Sequence, residues 1–196
     1  MGVVVGESRN LNIIAIGAST GGPDAIYKVV GEIEPVENTI ILIAQHMPAN
    51  FTKRLADRLN ERCRFNVVEA SNGDMLKAGY VYVAKGGYHM EISKGRIVLT
   101  EEPPIHGVRP AVDKLFFSVA KEAKNKVLAV ILTGMGKDGA AGIKCIKDVG
   151  GITIAQDKES SAIYGMPKAA IETGAIDHVL PLGKIAEMVS RIMKNR

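Results

Sequence analysis

IIAIGASTGGPDAIYKVVGEI, residues 13–33, is the stretch of sequence that decides the fold. It joins a short apolar run to a glycine-rich turn and then to apolar residues at helical spacing. A run that is apolar on both faces suits the middle of a parallel sheet covered by helices. Pro23 and Asp24 are typical of a first helical turn, where proline's missing N–H is not needed and an acid meets the positive end of the dipole. The stretch therefore predicts a strand, a tight turn and a helix.

The same pattern returns along the chain. Apolar runs begin at Ile40 (IILIA) and at Val127 (VLAVIL), and helical patterns follow them over 51–63 and 138–149. A further strand is predicted at ITIAQ from Ile152, and a C-terminal helix over 185–193. These elements predict a single doubly wound α/β domain, in which a mostly parallel sheet is flanked by helices.

The middle of the chain has a different pattern. Three short β-rich segments, 80–84, 88–93 and 96–100, are separated by KGG and KG turns. They predict an antiparallel hairpin or meander inserted near residues 80–100, extending one edge of the sheet. Residues 1–12 show no sustained periodicity and are interpreted as a tail or linker remnant, and residues 13–196 as one domain.

The composition narrows the class of protein. With 46% hydrophobic and 23% charged residues, the chain has the balance of a folded globular protein. A scattered net charge of +4 and the absence of tryptophan argue against nucleic-acid binding. Two cysteines form neither a disulfide framework nor a zinc site alone. Without a signal peptide or a membrane span, we expect a cytoplasmic protein that does not insert into membranes, and nothing implies an oligomer.

Three polar side chains follow the three central apolar runs. Ser19 lies after the first, His46 after the second and Asp138 after the third. In open α/β sheets ligands bind beyond the carboxyl ends of the strands, so these side chains are expected to share one site. A hydroxyl, an imidazole and a carboxylate are the three parts of a nucleophilic triad. The order Ser, His, Asp differs from that of the α/β-hydrolases, which indicates another scaffold.

The glycine-rich turn leaves alternatives open. Residues 17–21 match G-x-S-x-G between a strand and a helix, a turn that lifts a serine hydroxyl out of the backbone. A similar turn also cradles phosphates, so a non-catalytic nucleotide- or phosphate-binding module on Gly17–Gly22 is the alternative. The dinucleotide fingerprint fails because Ser19 takes its middle glycine position. A nucleophile, a phosphate site and a plain turn all fit the turn itself.

The other members of the triad also have structural alternatives. Of the four histidines, only His46 falls directly at a strand end; His89 and His178 fit structural or surface positions, and His106 lies in a proline-rich loop. No two histidines have i, i+3 or i, i+4 spacing, so no metal site is predicted. Asp138 also fits the first turn of a helix, where the dipole stabilises an acid.

Several long stretches occur in one order from about Asn12 to Met193: IGASTGGPDA, IAQHMPANFTKRLADRLN, YVYVAKGGYHMEI, RPAVDKLFFSVA, VILTGMGKDGAAG and AIYGMPKAAIETGAIDHVLPL. In these stretches the chain resembles the catalytic domain of the bacterial chemotaxis receptor methylesterases of the CheB type. That family hydrolyses γ-glutamyl methyl esters on the cytoplasmic helices of methyl-accepting chemotaxis receptors and releases methanol. Some members also deamidate receptor glutamines.

The resemblance implies a role for each candidate residue. Ser19 is expected to be the nucleophile, His46 the base and Asp138 the group that orients the histidine. The loop holding Met135 is expected to border the oxyanion site with a backbone N–H. Thr20 is added as a second donor, because the residue after a nucleophile often supplies one. The mechanism requires no cofactor and no metal.

The chain departs from the family pattern in two places. The family usually carries an N-terminal receiver domain, for which 196 residues leave no room. The family also often has a histidine immediately before Arg-Pro, whereas here Val108 precedes Arg109 and His106 lies two positions earlier. We expect Arg109 and Asp113 to pair and to cap the following helix. A third hypothesis, a module that docks receptor helices without chemistry, fits the mild positive charge.

Overall fold

A computed structural model describes residues 11–196, so most of the interpreted tail, residues 1–10, lies outside the described residues. The described part contains nine strands: β1 Asn12–Ala18, β2 Thr39–Gln45, β3 Asn66–Glu69, β4 Tyr80–Val83, β5 His89–Ser93, β6 Arg96–Thr100, β7 Val127–Ile131, β8 Ile152–Gln156 and β9 His178–Leu180. It also contains six α-helices: α1 Gly22–Glu32, α2 Phe51–Asn60, α3 Val112–Ala123, α4 Ala140–Asp148, α5 Met166–Glu172 and α6 Leu182–Lys194. None of these helices is long and apolar enough to cross a membrane.

Seven strands form one sheet in the order β3-β4-β2-β1-β7-β8-β9, and every neighbouring pair is parallel. The chain passes from β1 to one side of the sheet and later returns to the other side through β7. The predicted doubly wound α/β class is therefore confirmed, and the carboxyl ends of β1, β2 and β7 meet where the direction of winding reverses.

The two faces of the sheet build two apolar cores, because alternate residues of a strand point to opposite sides. Ile14 and Ile16 of β1 pack into one core with α1, α2 and α6. Ile13 and Ala15 of the same strand pack into the other core with α3, α4 and α5. Burial on both faces explains why the central strands are continuous apolar runs.

The predicted antiparallel hairpin is confirmed as β5-β6, but the prediction for the middle segment is wrong in two details. The strand β4 is not part of an antiparallel meander, because it lies inside the main sheet, parallel to β2 and β3. The hairpin β5-β6 is a separate two-stranded antiparallel sheet and does not extend the edge of the main one. It packs against α3, where Ile92 of β5 donates its backbone N–H to the Ser118 hydroxyl. The edge is formed by β3 instead.

Candidate active site

The ends of β1 and β2 place Ser19 beside His46. The last residues of the two strands, Ala18 and Gln45, are paired, and the backbone N–H of His46 donates to the carbonyl of Ala18 at 3.0 Å. Ser19 and His46 therefore follow neighbouring strands at the same level of the sheet. This is the position that the strand-end argument predicted for both residues.

The backbone of Ser19 is held on both sides. Its N–H donates to the carbonyl of Thr133, at the end of the β7 segment, at 3.0 Å. Its carbonyl accepts the N–H of Gly22 at 2.8 Å, which closes a tight turn into α1. The hydroxyl group takes no part in these bonds, so the turn holds the side chain at the carboxyl end of the sheet without using it.

His46 and Asp138 form a buried pair. The Nε2 atom of His46 lies 2.7 Å from Oδ2 of Asp138, and the two side chains are only 9% and 2% exposed. Because an ionised carboxylate only accepts hydrogen bonds, Nε2 carries the proton and Nδ1 is left with its lone pair. No hydrogen bond joins the Ser19 hydroxyl to this ring within residues 11–196. In unliganded sites such bonds are often long and tighten when substrate binds.

Asp138 does not lie in the first turn of its own helix. It precedes α4 by two residues, and its carboxylate accepts the first N–H groups of a different helix, α3. The bonds run from Val112 N to Oδ2 at 2.6 Å and from Asp113 N to Oδ1 at 2.9 Å. The carboxylate thus lies at the positive end of the α3 dipole.

The same contacts set the charge of Asp138. Burial alone would raise its pKa, but the hydrogen bonds from His46 and from the N–H groups of Asp113 and Val112 outweigh burial and lower the pKa below its ordinary value. The carboxylate therefore stays ionised at neutral pH, and it can stabilise a positive charge on the imidazole.

Asp113 completes a reciprocal arrangement, which we call the crossed caps: Asp138, just before α4, caps α3, and Asp113, in the first turn of α3, caps α4. The Oδ1 atom of Asp113 accepts the N–H of Gly142 at 2.8 Å, and Oδ2 lies 3.2 Å from Nε2 of His106. The expected pairing of Asp113 with Arg109 is wrong. Arg109 donates instead to the carbonyls of Glu101 and Glu102 in the preceding loop.

His89 has a structural position. It is fully buried, its Nδ1 accepts the backbone N–H of Ala111 at 3.2 Å and its Nε2 lies 3.1 Å from the carbonyl oxygen of Pro103. These two partners require a neutral ring with the proton on Nε2. His89 thereby fixes the residue that precedes α3, and so the helix start that holds Asp138.

One group of metal-ligating side chains comes together among the described residues. Atoms of His106, Asp113 and Asp138 lie within 4.8 Å of one another. The carboxylate oxygens in this group already accept the hydrogen bonds of the crossed caps and of His46. A cation bound there would compete with these donors, so the chemistry of the group favours a hydrogen-bonded network.

The candidate oxyanion donors lie in two different segments near Ser19: Thr20 follows it in the chain, and Met135 follows Gly134, which packs against it. Neither Thr20 nor Met135 uses its backbone N–H in a hydrogen bond with another described residue. The side chain of Met135 is 75% exposed. Both N–H groups are therefore unengaged near the nucleophile, as an oxyanion site requires.

Two side chains near the site escaped the sequence analysis. The Thr133 hydroxyl donates to the carbonyl of Thr20 at 2.9 Å and accepts the N–H of Ile163 at 2.9 Å, which joins three loops around Ser19. Gln45 contacts the backbones of both Ser19 and His46. Gln45 ends the apolar strand β2, and Thr133 follows the apolar strand β7. A single sequence does not show whether a Thr or Gln at the end of a strand bonds a neighbouring backbone or faces water.

The CheB methylesterase profile matches residues 14–189, nearly the whole described chain. The chain belongs to the CheB methylesterase family. Its catalytic-domain architecture is similar to the crystal structure of the Thermotoga maritima CheB methylesterase catalytic domain, with a TM-score of 0.88 and 41% sequence identity over 93% of this chain and 98% of that one.

Curated CheB relatives are more similar in sequence. A protein-glutamate methylesterase/protein-glutamine glutaminase of Clostridium acetobutylicum is 50% identical over 189 residues, which cover 96% of this chain and 55% of the relative. A protein of the same description from Pyrococcus horikoshii is 47% identical over 185 residues, 92% of this chain and 50% of the relative. The chain thus spans about half the length of the curated relatives it matches.

Gly134 lies so close to Ser19 in this CheB family member that Gly134→Ala tests the packing of the site. An added Cβ would lie 2.3 Å from the sulfur of Met166, 2.8 Å from Cβ of Ser19 and 3.0 Å from its backbone N. The loop cannot retreat easily, because the carbonyl of Gly134 accepts two N–H groups, from Gly165 and Met166. If Ser19 is the nucleophile of an ester hydrolysis, we expect kcat for that reaction to fall by about 100-fold, because the added methyl group displaces Ser19. Overpacking should also lower the free energy of unfolding by about 1–3 kcal/mol.

Steady-state kinetics and urea denaturation measure both effects. Gly31→Ala is the matched control, since a Cβ at Gly31, inside α1, comes no nearer than 3.9 Å to another group. It should retain full activity and raise the free energy of unfolding by up to about 1 kcal/mol. Unchanged kinetics in Gly134→Ala would mean that the loop moves without carrying Ser19 with it.

Asp113→Asn is expected to stabilise the CheB fold more at pH 8 than at pH 4. Burial raises the pKa of Asp113, and the nearby Asp138 adds to this, against the bonds from Gly142 and His106. The folded state therefore holds a proton that the unfolded chain has already lost, so the wild-type free energy of unfolding falls as pH rises between the unfolded and the folded pKa. The amide carries no charge and escapes this loss, while its oxygen still accepts the N–H of Gly142.

Urea denaturation at the two pH values tests the sign, and Asp177→Asn is the control of opposite sign. Burial would raise the pKa of Asp177, but the bonds from Lys147 and Thr153 outweigh it and lower the pKa. Its charged form therefore stabilises the fold above the unfolded pKa, and Asp177→Asn should be more costly at pH 8 than at pH 4. An Asp113→Asn effect that is the same at both pH values would refute the argument.

Proposed function

We propose that residues 13–196 form the catalytic domain of a serine esterase that removes methyl groups from glutamate γ-methyl esters on the cytoplasmic helices of methyl-accepting chemotaxis receptors. The observation that carries the proposal is the 2.7 Å contact between His46 and the ionised Asp138, beside Ser19 on the neighbouring strand end. Membership of a methylesterase family supports this function over the nucleotide- or phosphate-binding alternative.

In the first half of the reaction Ser19 attacks the ester carbonyl. Nδ1 of His46 accepts the hydroxyl proton, because Nε2 is engaged with Asp138. Asp138 stabilises the imidazolium that forms, and the N–H groups of Thr20 and Met135 donate to the tetrahedral oxyanion. Each such donor contributes about 3 kcal/mol in the transition state. The intermediate collapses when the C–O bond to the methoxy group breaks, and His46 returns the proton to release methanol.

The second half of the reaction regenerates the serine. Water gives a proton to Nδ1 of His46 and attacks the glutamyl ester of Ser19, and collapse returns the proton to Ser19 and leaves a glutamate carboxylate. The same steps on a glutamine side chain would release ammonia, which makes receptor glutamines a second substrate class. The residues supply the nucleophile, base and oxyanion donors without any cofactor or metal.

The proposed substrate is a side chain on a protein surface, and the surroundings of Ser19 fit a protein partner. Met135 and Ile163 are 75% and 41% exposed on the loops that border the site. Exposed apolar side chains of this kind are typical of surfaces that contact other proteins. Such receptors present their methylated helices in the cytoplasm, so we place the reaction there, in sensory adaptation.

Methanol release from methylated receptor membranes tests the function. The receptors carry isotopically labelled methyl groups, and volatile label is measured with the protein and with the same protein after a fluorophosphonate has blocked its serine. We expect release by the first sample only, and peptide mass spectrometry should locate the block on Ser19. Absence of release by the untreated protein would contradict the proposed substrate, and a saturable thermal shift with nucleotides would then favour the alternative.

A further inference from the structure

Gln45 is a fully enclosed polar residue on the far side of the sheet from the catalytic pair. It is the last residue of β2 and is 2% exposed. Because successive residues of a strand point to opposite faces, Gln45 lies on the face of Ile41 and Ile43, toward α1 and α2, whereas His46 points to the α3 face. Gln45 therefore touches the site from behind, without access to substrate.

The amide of Gln45 bonds the nucleophile and the base at once. Its Nε2 donates to the carbonyl of Ser19 at 2.9 Å and to the carbonyl of His46 at 3.0 Å. Since both partners are acceptors only, the orientation of the amide is settled by its two N–H groups. No other side chain among residues 11–196 donates hydrogen bonds to the backbones of both residues.

We propose that Gln45 is a positioning residue for the esterase reaction, fixing the distance between the Ser19 and His46 backbones through these two hydrogen bonds. We call the arrangement the Gln45 clamp; it rests on the proposed function. The hydroxyl and the imidazole extend from the two clamped backbones. A change of about 1 Å in the placement of reacting groups lowers rates by about 100-fold, so such a clamp acts directly on kcat.

The pairing of β1 with β2 does not depend on this amide. The ladder between β1 and β2 already continues to the bond from His46 N to Ala18 O. Moreover, the Oε1 atom of Gln45 is buried without a hydrogen-bond partner among the described residues. An unpaired buried carbonyl destabilises a protein, and an apolar side chain of the same length would avoid that cost. The amide is therefore a poor choice for stability and a good one for holding two carbonyls together.

The start of α1 is shaped around the clamp. A Cβ on Gly22 would lie 2.0 Å from Oε1 of Gln45 and 2.8 Å from Cβ of Ala18. Only a residue without a side chain leaves room for the amide at this position. The glycine that ends the G-x-S-x-G-G turn thus serves the clamp as well as the turn into the helix.

Two variants and one matched control test the clamp in the full chain. Gln45→Met keeps the length and removes both donors, and Gln45→Asn keeps the amide but is too short to reach both carbonyls. Ile41→Ala is the control. Ile41 is fully buried and lies on the same face of β2 as Gln45, four residues before it. Each variant is measured for unfolding in urea, for kcat and KM of methanol release, and for the rate of Ser19 phosphonylation by a small fluorophosphonate.

The clamp predicts a pattern that a loss of stability does not produce. In both Gln45 variants kcat and the phosphonylation rate should fall by about 10- to 100-fold with KM within about twofold of wild type, whereas Ile41→Ala should keep all three values per folded molecule. Equal phosphonylation rates in Gln45→Met, Gln45→Asn and Ile41→Ala would overturn the clamp. Phosphonylation of Ser19 needs no receptor, so it tests the clamp independently of the substrate. If the wild-type protein is phosphonylated but releases no methanol, the proposed substrate is contradicted, and the phosphonylation rates of the variants still decide for or against the clamp.

Discussion

Ser19→Ala is expected to lower kcat for methanol release by about 10⁴-fold or more, because removal of a triad nucleophile costs factors of this size or larger in other serine hydrolases. The proposed reaction has no covalent route without the hydroxyl. Water alone would have to attack the ester, with only the oxyanion donors and the bound orientation to help it.

The same substitution should leave the fold unchanged. Ser19 is held by its backbone, which donates to Thr133 and accepts from Gly22 and Gln45. None of these bonds involves the hydroxyl, and alanine can make all of them. We therefore expect the free energy of unfolding to stay within about 0.5 kcal/mol of wild type.

Labelled methanol release and urea denaturation are measured side by side on Ser19→Ala and on Ser71→Ala. Ser71 is exposed at a turn after β3, and it bonds through its backbone: its N–H donates to the Asp74 carboxylate and its carbonyl accepts the N–H of Asp74. Ser71→Ala should therefore match wild type in both assays. Methanol release by folded Ser19→Ala within tenfold of wild type would exclude Ser19 as the nucleophile.

Asp138→Asn is expected to lower kcat by about 10⁴-fold, the size of the effect when the triad acid of a serine protease becomes an amide. The neutral amide cannot stabilise an imidazolium on His46. Both oxygens of Asp138 also accept backbone N–H groups, from Val112 and Asp113, so the NH₂ of an asparagine must face a donor. One buried donor is then unpaired, which should lower the free energy of unfolding by about 1–3 kcal/mol.

Asp113→Asn separates the role of Asp138 from the loss of any buried charge in this region. Asp113 is also a buried acid at a helix start, but its carboxylate bonds Gly142 and His106 instead of His46. We expect its kcat to fall by less than about tenfold. Equal losses in the two variants would show that the crossed caps, and not the contact with His46, account for the effect of Asp138→Asn.

The central architecture could be predicted because local chemistry determines it. Strands buried on both faces must be apolar throughout, so β1, β2, β7 and β8 were evident as continuous runs. The placement of Ser19 and His46 at one edge of the sheet followed from their positions directly after two apolar runs, because the carboxyl ends of parallel strands meet at the same edge. Their catalytic roles, with those of Asp138, Thr20 and Met135, stay predictions that the experiments above address.

What could not be predicted depends on partners far away in the chain. The strand β4 is one of several short β-rich segments separated by turns, which predicts a meander, but its connection from β2 through α2 and β3 makes it parallel and internal. The sequence places Asp138 in the first turn of the helix that follows it, but its carboxylate accepts the N–H groups of Val112 and Asp113, which lie 26 and 25 residues earlier. Arg109 is expected to pair with Asp113, whereas in the structure it donates to the carbonyls of Glu101 and Glu102. Sequence spacing alone does not reveal such choices.

The crossed caps determine when during folding the site becomes competent. The first N–H groups of α3 have the Asp138 carboxylate as their acceptor, and the N–H of Gly142 in α4 has the Asp113 carboxylate. Each helix start is therefore satisfied only when the other segment is in place. In a chain whose two helices have not yet docked, both acids are hydrated and nothing orients His46. We therefore expect the proposed esterase activity to require docked α3 and α4 helices, because in the docked pair Asp138 both holds the start of α3 and contacts His46.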